Sequence, residues 1–177
     1  MIQHSQAIIL IIFFVVAVIF DLRERRVPNW LTFSFMAGGM AYHLAVSGLT
    51  GLLFSLQGLA LGIALLIFFY VAGGMGAGDV KLMGAVGSVL GPANVLYAFV
   101  YSALVGGIYS VVVLYRYNAL RSSLERCVSA PVDFLRTGHW LWSPSPAAIK
   151  LPRLCYALAI SLGTGIYVLR SLIEAGS

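Results

Sequence analysis

Two aspartates in this 177-residue chain stand where a charge is costly. Asp21 closes an apolar run, and Asp79 opens another within Gly76-Ala77-Gly78-Asp79-Val80-Lys81. A charged side chain at membrane depth costs about 2.5–3.5 kcal/mol on insertion scales, so membrane-spanning chains usually keep one there for a purpose. Two carboxylates suit hydrolysis of a peptide bond. One takes a proton from water while the other, as the acid, protonates the carbonyl oxygen. Carboxylates sharing a site cannot both ionise easily, so the couple holds one proton, and its titration belongs to the pair. Which of the two is the base is open. No Ser–His or Cys–His constellation competes, because the serines are scattered and no histidine lies in a comparable glycine-rich context.

Each residue also has a bland reading. Asp21 can cap the first span, Asp21 to Arg26 can be a solvated juxtamembrane loop, and Glu24 can pair with its arginines. Asp79 can serve as a helix N-cap. Capping does not call for glycine at 73, 74, 76, 78 and 84, however. Glycine permits unusual φ values and close backbone approach, and a glycine-lined rim lets an extended substrate lie beside the carboxylate. Gly76 and Gly78 are therefore expected to shape the site. Lys81 has three open roles: supporting the Asp79 carboxylate, binding a substrate carboxylate, or snorkelling to the headgroups. Val27-Pro28-Asn29-Trp30 reads as a turn that begins the second span, with Pro28 fixing φ and Trp30 anchoring the interface.

The elements that must carry these residues are membrane helices. The chain is 60% hydrophobic and only 10% charged, with a mean hydropathy of +0.95, too little polar surface for a soluble domain of this size. The expected fold is an all-α integral membrane bundle of about six transmembrane helices, over 4–22, 30–47, 50–72, 80–91, 93–115 and 154–173, forming one domain. Gly91-Pro92-Ala93-Asn94 marks the turn between the fourth and fifth; read as a kink, it would reduce the count to five. With six spans and an outside N-terminus, ten of the eleven Lys and Arg residues fall on one side, which the positive-inside rule makes cytoplasmic. Asp21 and Asp79 then share that face. The first run is not expected to be a removable signal, since its basic residues follow it and no small-residue cleavage site appears. The loop 116–153 is expected to hold a short interfacial helix, with Trp140 and Trp142 at headgroup level. Cys127 and Cys155 form no CxxC pair, and His4, His43 and His139 lack ligand spacing. No metal, cofactor or nucleic-acid partner is expected.

Taken together, Asp21, Pro28-Asn29 and Gly76-Ala77-Gly78-Asp79-Val80-Lys81-Leu82 resemble the motifs of the type IV prepilin peptidases, the GxGD class of intramembrane aspartyl proteases. The likeness extends weakly to Tyr156-Ala157-Leu158-Ala159-Ile160, where Cys155 replaces a common proline. The resemblance implies removal of a short basic leader from pilin-like precursors at the cytoplasmic face of a bacterial inner membrane, with pilus assembly machinery as a further partner. Only residues 22–29 separate the first two spans, without the cysteine-rich insert of larger members. The chain therefore looks like the compact branch serving tight-adherence (Flp-type) pili, and N-methylation is not expected. The basic face is awkward for a cationic leader, so local attraction would fall to Asp21, Glu24 and Asp79, or to the leader's own apolar helix.

Two other classes compete. A small ion-coupled transporter would place its carboxylates near the midplane and show internal repeats, whereas these lie at span ends and no repeat is visible. A non-catalytic subunit of a secretion assembly would keep the motif for folding. A presenilin-like peptidase would need Pro-Ala-Leu on a late span, but Pro146-Ala147-Ala148 lies in the loop.

Overall fold

The computed structural model describes residues 4–24, 28–71, 75–116 and 156–176. Four helices occupy them: α1 (His4–Glu24), α2 (Asn29–Val71), α3 (Ala77–Arg116) and α4 (Tyr156–Gly176). Among the described residues, α2, α3 and the Tyr156–Glu174 part of α4 are long and apolar enough to cross a membrane, and α1 adds a shorter apolar stretch, Ala7–Phe20. The described residues are all-helical, in segments long and apolar enough for a membrane protein. Four helices stand where about six separate spans are expected. Two of the anticipated boundaries, at Gly48 and Gly91, are breaks of one residue within α2 and α3 rather than connecting loops. The interfacial helix and the Trp140 and Trp142 anchors expected in 116–153 lie outside the described residues. The described residues up to Gly106 and those of α4 form one compact unit; residues 107–116, which complete α3, belong to a second.

At Gly48 the backbone has φ +62° and ψ −144°, outside the range that residues with side chains tolerate. The His43 and Phe54 rings then lie 5.3 Å apart. Eleven residues of straight helix would separate them by about 16 Å, so the chain doubles back there. Gly91 has φ +78° and ψ 176°, a conformation essentially confined to glycine, and Phe54 packs over its Cα face. Pro92 follows and has no N–H to give the Ser88 carbonyl one turn earlier. Ser55 Oγ donates to that carbonyl instead, at 2.7 Å, and His43 Nε2 donates to the next one, Val89, at 2.9 Å. Side chains from α2 thus repair the ladder that Gly91-Pro92 opens, as backbone in lipid requires.

The first limb of α3 is the centre of its unit, buried from Leu82 through Gly91. It packs on both limbs of α2 through small residues. Gly39 lies against Ser88, Gly58 meets Gly87 backbone to backbone, and Gly62 faces the Met83 carbonyl. Helices in lipid gain no hydrophobic drive from association, so this close approach supplies the adhesion. α1 runs antiparallel to the first limb of α2, with Phe13 stacked on Phe35 at 3.7 Å and Phe20 edge-on to Trp30 at 5.9 Å. α4 packs on α1 and on the second limb of α3, where Ser102 Oγ donates to the Ile160 carbonyl at 3.3 Å and Tyr167 Oη to Asn94 Oδ1 at 2.8 Å.

Candidate active site

Asp79 lies in the first turn of α3, inside the N-cap position that its bland reading would give it. Gly76 takes that position and Asp79 is the third helical residue. Its N–H donates to the Gly76 carbonyl at 3.1 Å, while the Gly76 N–H donates to Asp79 Oδ2 at 3.2 Å. This is the return half of a capping box, in which a side chain reaches back to the N-cap N–H. It satisfies a helix-end donor and fixes the rotamer of the carboxylate. Gly76 is exposed and Asp79 half-buried, so the carboxyl group sits at a rim rather than in the packed interior.

The two motif glycines differ in what surrounds them. A β-carbon added at Gly76 would touch Asp79 Oδ2 at 3.4 Å, an ordinary contact, whereas one added at Gly78 would meet nothing within 4 Å. Gly84, by contrast, is a packing glycine, since a β-carbon there would press on Ile63 at 2.9 Å and Met36 at 3.2 Å. Packing therefore accounts for Gly84, while no described residue crowds Gly78. Gly73 and Gly74 lie outside the described residues.

Lys81 does not stand alone in the interface. Its Nζ donates to Asn29 Oδ1 at 3.0 Å and lies 5.4 Å from the centre of the Phe33 ring. Pro28 and Asn29 build the start of α2. The Pro28 carbonyl accepts from Leu31 N at 3.1 Å and Thr32 N at 3.4 Å, and Thr32 Oγ1 donates to the Asn29 carbonyl at 2.9 Å. The structure thus brings Asn29, which follows Pro28 at the start of α2, against Lys81, two residues after Asp79 in the chain. Sequence reasoning missed Phe33, although its spacing from Asn29 puts both on one helix face.

Asp21 lies in the last turn of α1; its side chain falls outside the described part. The backbone position follows from its neighbours. Phe20, one residue before it, touches Trp30, one residue after Asn29. Asn29 in turn holds Lys81, two residues after Asp79. The end of α1, the start of α2 and the start of α3 are therefore gathered at one end of the unit.

The sequence profile of the type IV leader peptidase family matches residues 8–111, a stretch that includes Asp21, Pro28, Asn29 and Asp79. A Bacillus subtilis (strain 168) protein named prepilin leader peptidase/N-methyltransferase is 31% identical over 105 residues, which is 58% of this chain and 42% of that relative. The match thus spans less than half the relative's length. No solved structure matches the chain. With the profile covering α2 entirely, together with most of α1 and α3, the chain belongs to the type IV leader peptidase family.

Proposed function

We propose that this protein is an intramembrane aspartyl endopeptidase that removes the short basic leader of type IV pilin-like, Flp-type precursors at the cytoplasmic membrane face. Asp21 and Asp79 share the work. The ionised partner takes a proton from water, the resulting hydroxide attacks the scissile carbonyl carbon, and the protonated partner donates to the carbonyl oxygen. Collapse of the tetrahedral adduct returns a proton to the leaving nitrogen as the C–N bond breaks. The observation that carries this reading, within a family of leader peptidases, is the gathering of the ends of α1 and α3 through the Phe20–Trp30 and Asn29–Lys81 contacts. The open flank of Gly78 supports an extended peptide lying beside Asp79.

The same reading includes six membrane crossings, with the sharp reversal at Gly48 and the break at Gly91-Pro92 dividing α2 and α3 into limbs. The charge bias of the loops supports an outside N-terminus and a bacterial inner-membrane site facing the cytoplasm. The relative's printed name includes N-methyltransferase, yet the match takes in only 42% of it; we assign this chain the peptidase step without methylation.

The test is co-expression with a pilin-like precursor, following leader removal and the mass of the new amino terminus. Asp21→Asn and Asp79→Asn should each insert normally and each lower cleavage by about 10²–10⁴-fold, the usual worth of a positioned acid or base. Normal processing by either variant would end the two-carboxylate mechanism. A product carrying an added methyl group would end the peptidase-only assignment.

A further inference from the structure

We propose that Ser161 and Thr164 hold one ordered internal water in the seam between α4 and α1. This site uses none of the candidate active-site residues and does not rest on the peptidase reading. Ala157, Ser161, Thr164 and Val168 recur at helical spacing and are all buried, so they form one face of α4. Ile160, Gly163 and Tyr167, about a quarter turn away, meet α3. Ile160 and Tyr167 do so through their bonds with Ser102 and Asn94, and Gly163 by close approach to the Ser102 backbone. α4 also packs on α1. The Ser161–Thr164 face is therefore turned to α1, whose own buried line is Ala7, Leu10, Phe14 and Ala17.

Among the described residues, Ser161 Oγ and Thr164 Oγ1 are the two buried side-chain oxygens without a hydrogen-bond partner. Ser161 is 7% and Thr164 0% exposed. Within a membrane bundle such a group has no bulk solvent to turn to, and leaving it unbonded is costly. A threonine in a helix ordinarily bonds the carbonyl three or four residues back. For Thr164 the carbonyl four back belongs to Ile160. That oxygen already serves the helix's own N–H and accepts from Ser102 Oγ at 3.3 Å, so both of its lone pairs are taken. Ser161 comes three residues earlier, and side chains at that spacing lie about 5–6 Å apart at Cβ. One water with bonds of about 2.8 Å to each oxygen spans that gap. Two hydroxyls also meet the lower limit of the roughly two to four polar partners that a buried water needs. The face that carries them is the small-residue side of α4, with Ala157 beside Ser161, whereas the larger Leu162, Ile166 and Leu169 are exposed.

The experiment has two arms. Ser161→Ala, Thr164→Val and the double variant are unfolded by heat in one detergent, and the wild-type chain is solved in lipid at a resolution that shows ordered water. A single loss leaves the other hydroxyl without its bridge, so each single variant should unfold about 2–4 °C below wild type. Removing both leaves an apolar seam with no polar group to satisfy. The double variant should therefore unfold nearer to wild type than either single one. The density should show one peak about 2.8 Å from both oxygens. Single variants that unfold at or above the wild-type temperature, or losses that add in the double variant, would overturn the site. A direct bond between the two hydroxyls would couple the variants just as well, so the density decides that case. Either hydroxyl bonded to a protein group in place of water, or no peak between them, would overturn the site too.

Discussion

Gly78→Ala separates folding from substrate passage at the candidate site. The backbone at Gly78 is helical, and positive φ among the described glycines occurs at Gly48 and Gly91 alone. Among the described residues, a β-carbon there would meet no atom within 4 Å beyond its own helix turn. Alanine in a helix is better than glycine by about 0.5–1 kcal/mol in an interior position, and by less in a first turn. The variant should therefore insert, survive purification and unfold in detergent at the wild-type temperature or slightly above it. Its activity should move the other way. If an extended peptide lies along the Gly76–Gly78 edge to reach Asp79, the added methyl group intrudes on that path. Overpacking costs typically about 1–3 kcal/mol, which at 1.36 kcal/mol per decade is roughly a 5- to 150-fold loss in cleavage.

The assay pairs thermal unfolding of the purified variant with the rate of leader removal from one precursor in the same detergent. Wild-type cleavage by Gly78→Ala would mean that the peptide approaches Asp79 from elsewhere, and the glycine-rim reasoning would fail. A variant that unfolds would refute the packing reasoning instead, because nothing near Gly78 should resist the methyl group. Gly76→Ala is the internal comparison: its β-carbon would touch Asp79 Oδ2 at 3.4 Å, so any effect there acts on the carboxylate itself.

Two further predictions concern the scaffold. Gly58→Ala and Gly87→Ala should each destabilise the protein by about 1–3 kcal/mol in detergent unfolding, since a β-carbon on either meets the other's backbone; Gly38→Ala, with no described atom within 4 Å, should be neutral to slightly stabilising. Ser55→Ala removes the donor that serves the Ser88 carbonyl in place of the missing Pro92 N–H. It should lower stability by about 0.6–1.7 kcal/mol, the range for hydrogen bonds between membrane helices, with cleavage by the remaining folded protein unchanged.

The helix ends were legible where one residue carries the whole signal. Pro28 fixes the entry to α2, and α2 begins at Asn29, one residue before the expected 30. The punctuation at Gly48 and at Gly91-Pro92 was legible as well, because glycine and proline act through their own backbone. The consequence of that punctuation was not. A turn of one glycine joins two helical limbs without a loop, so the sequence reading expected about six separate spans where the structure has four helices. The packing role of Gly58 and Gly62 was missed too, although their spacing of four is the pattern that brings membrane helices together. The partner of Lys81 was beyond any local reading, since Asn29 lies 52 positions away.

These misses share a cause that bears on how the site is built. In water, a buried apolar face announces itself by periodicity; in lipid every face is apolar, and the interior is marked by small residues and repaired carbonyls. The first limb of α3 illustrates this. It is hydrophobic and too short to be convincing as a span, yet it is the most buried segment described, with Gly39, Gly58 and Gly62 pressed on it and Ser55 and His43 bonded to its broken end. Asp79 and Lys81 begin that same limb. A helix so enclosed along its length has little freedom to tilt at its start, and the half-buried rim that carries Asp79 inherits that rigidity. The small residues far from the carboxylate thus bear on catalysis through the position of Asp79, and a Gly87→Ala variant that still folds should show a lower kcat as well as a lower unfolding temperature.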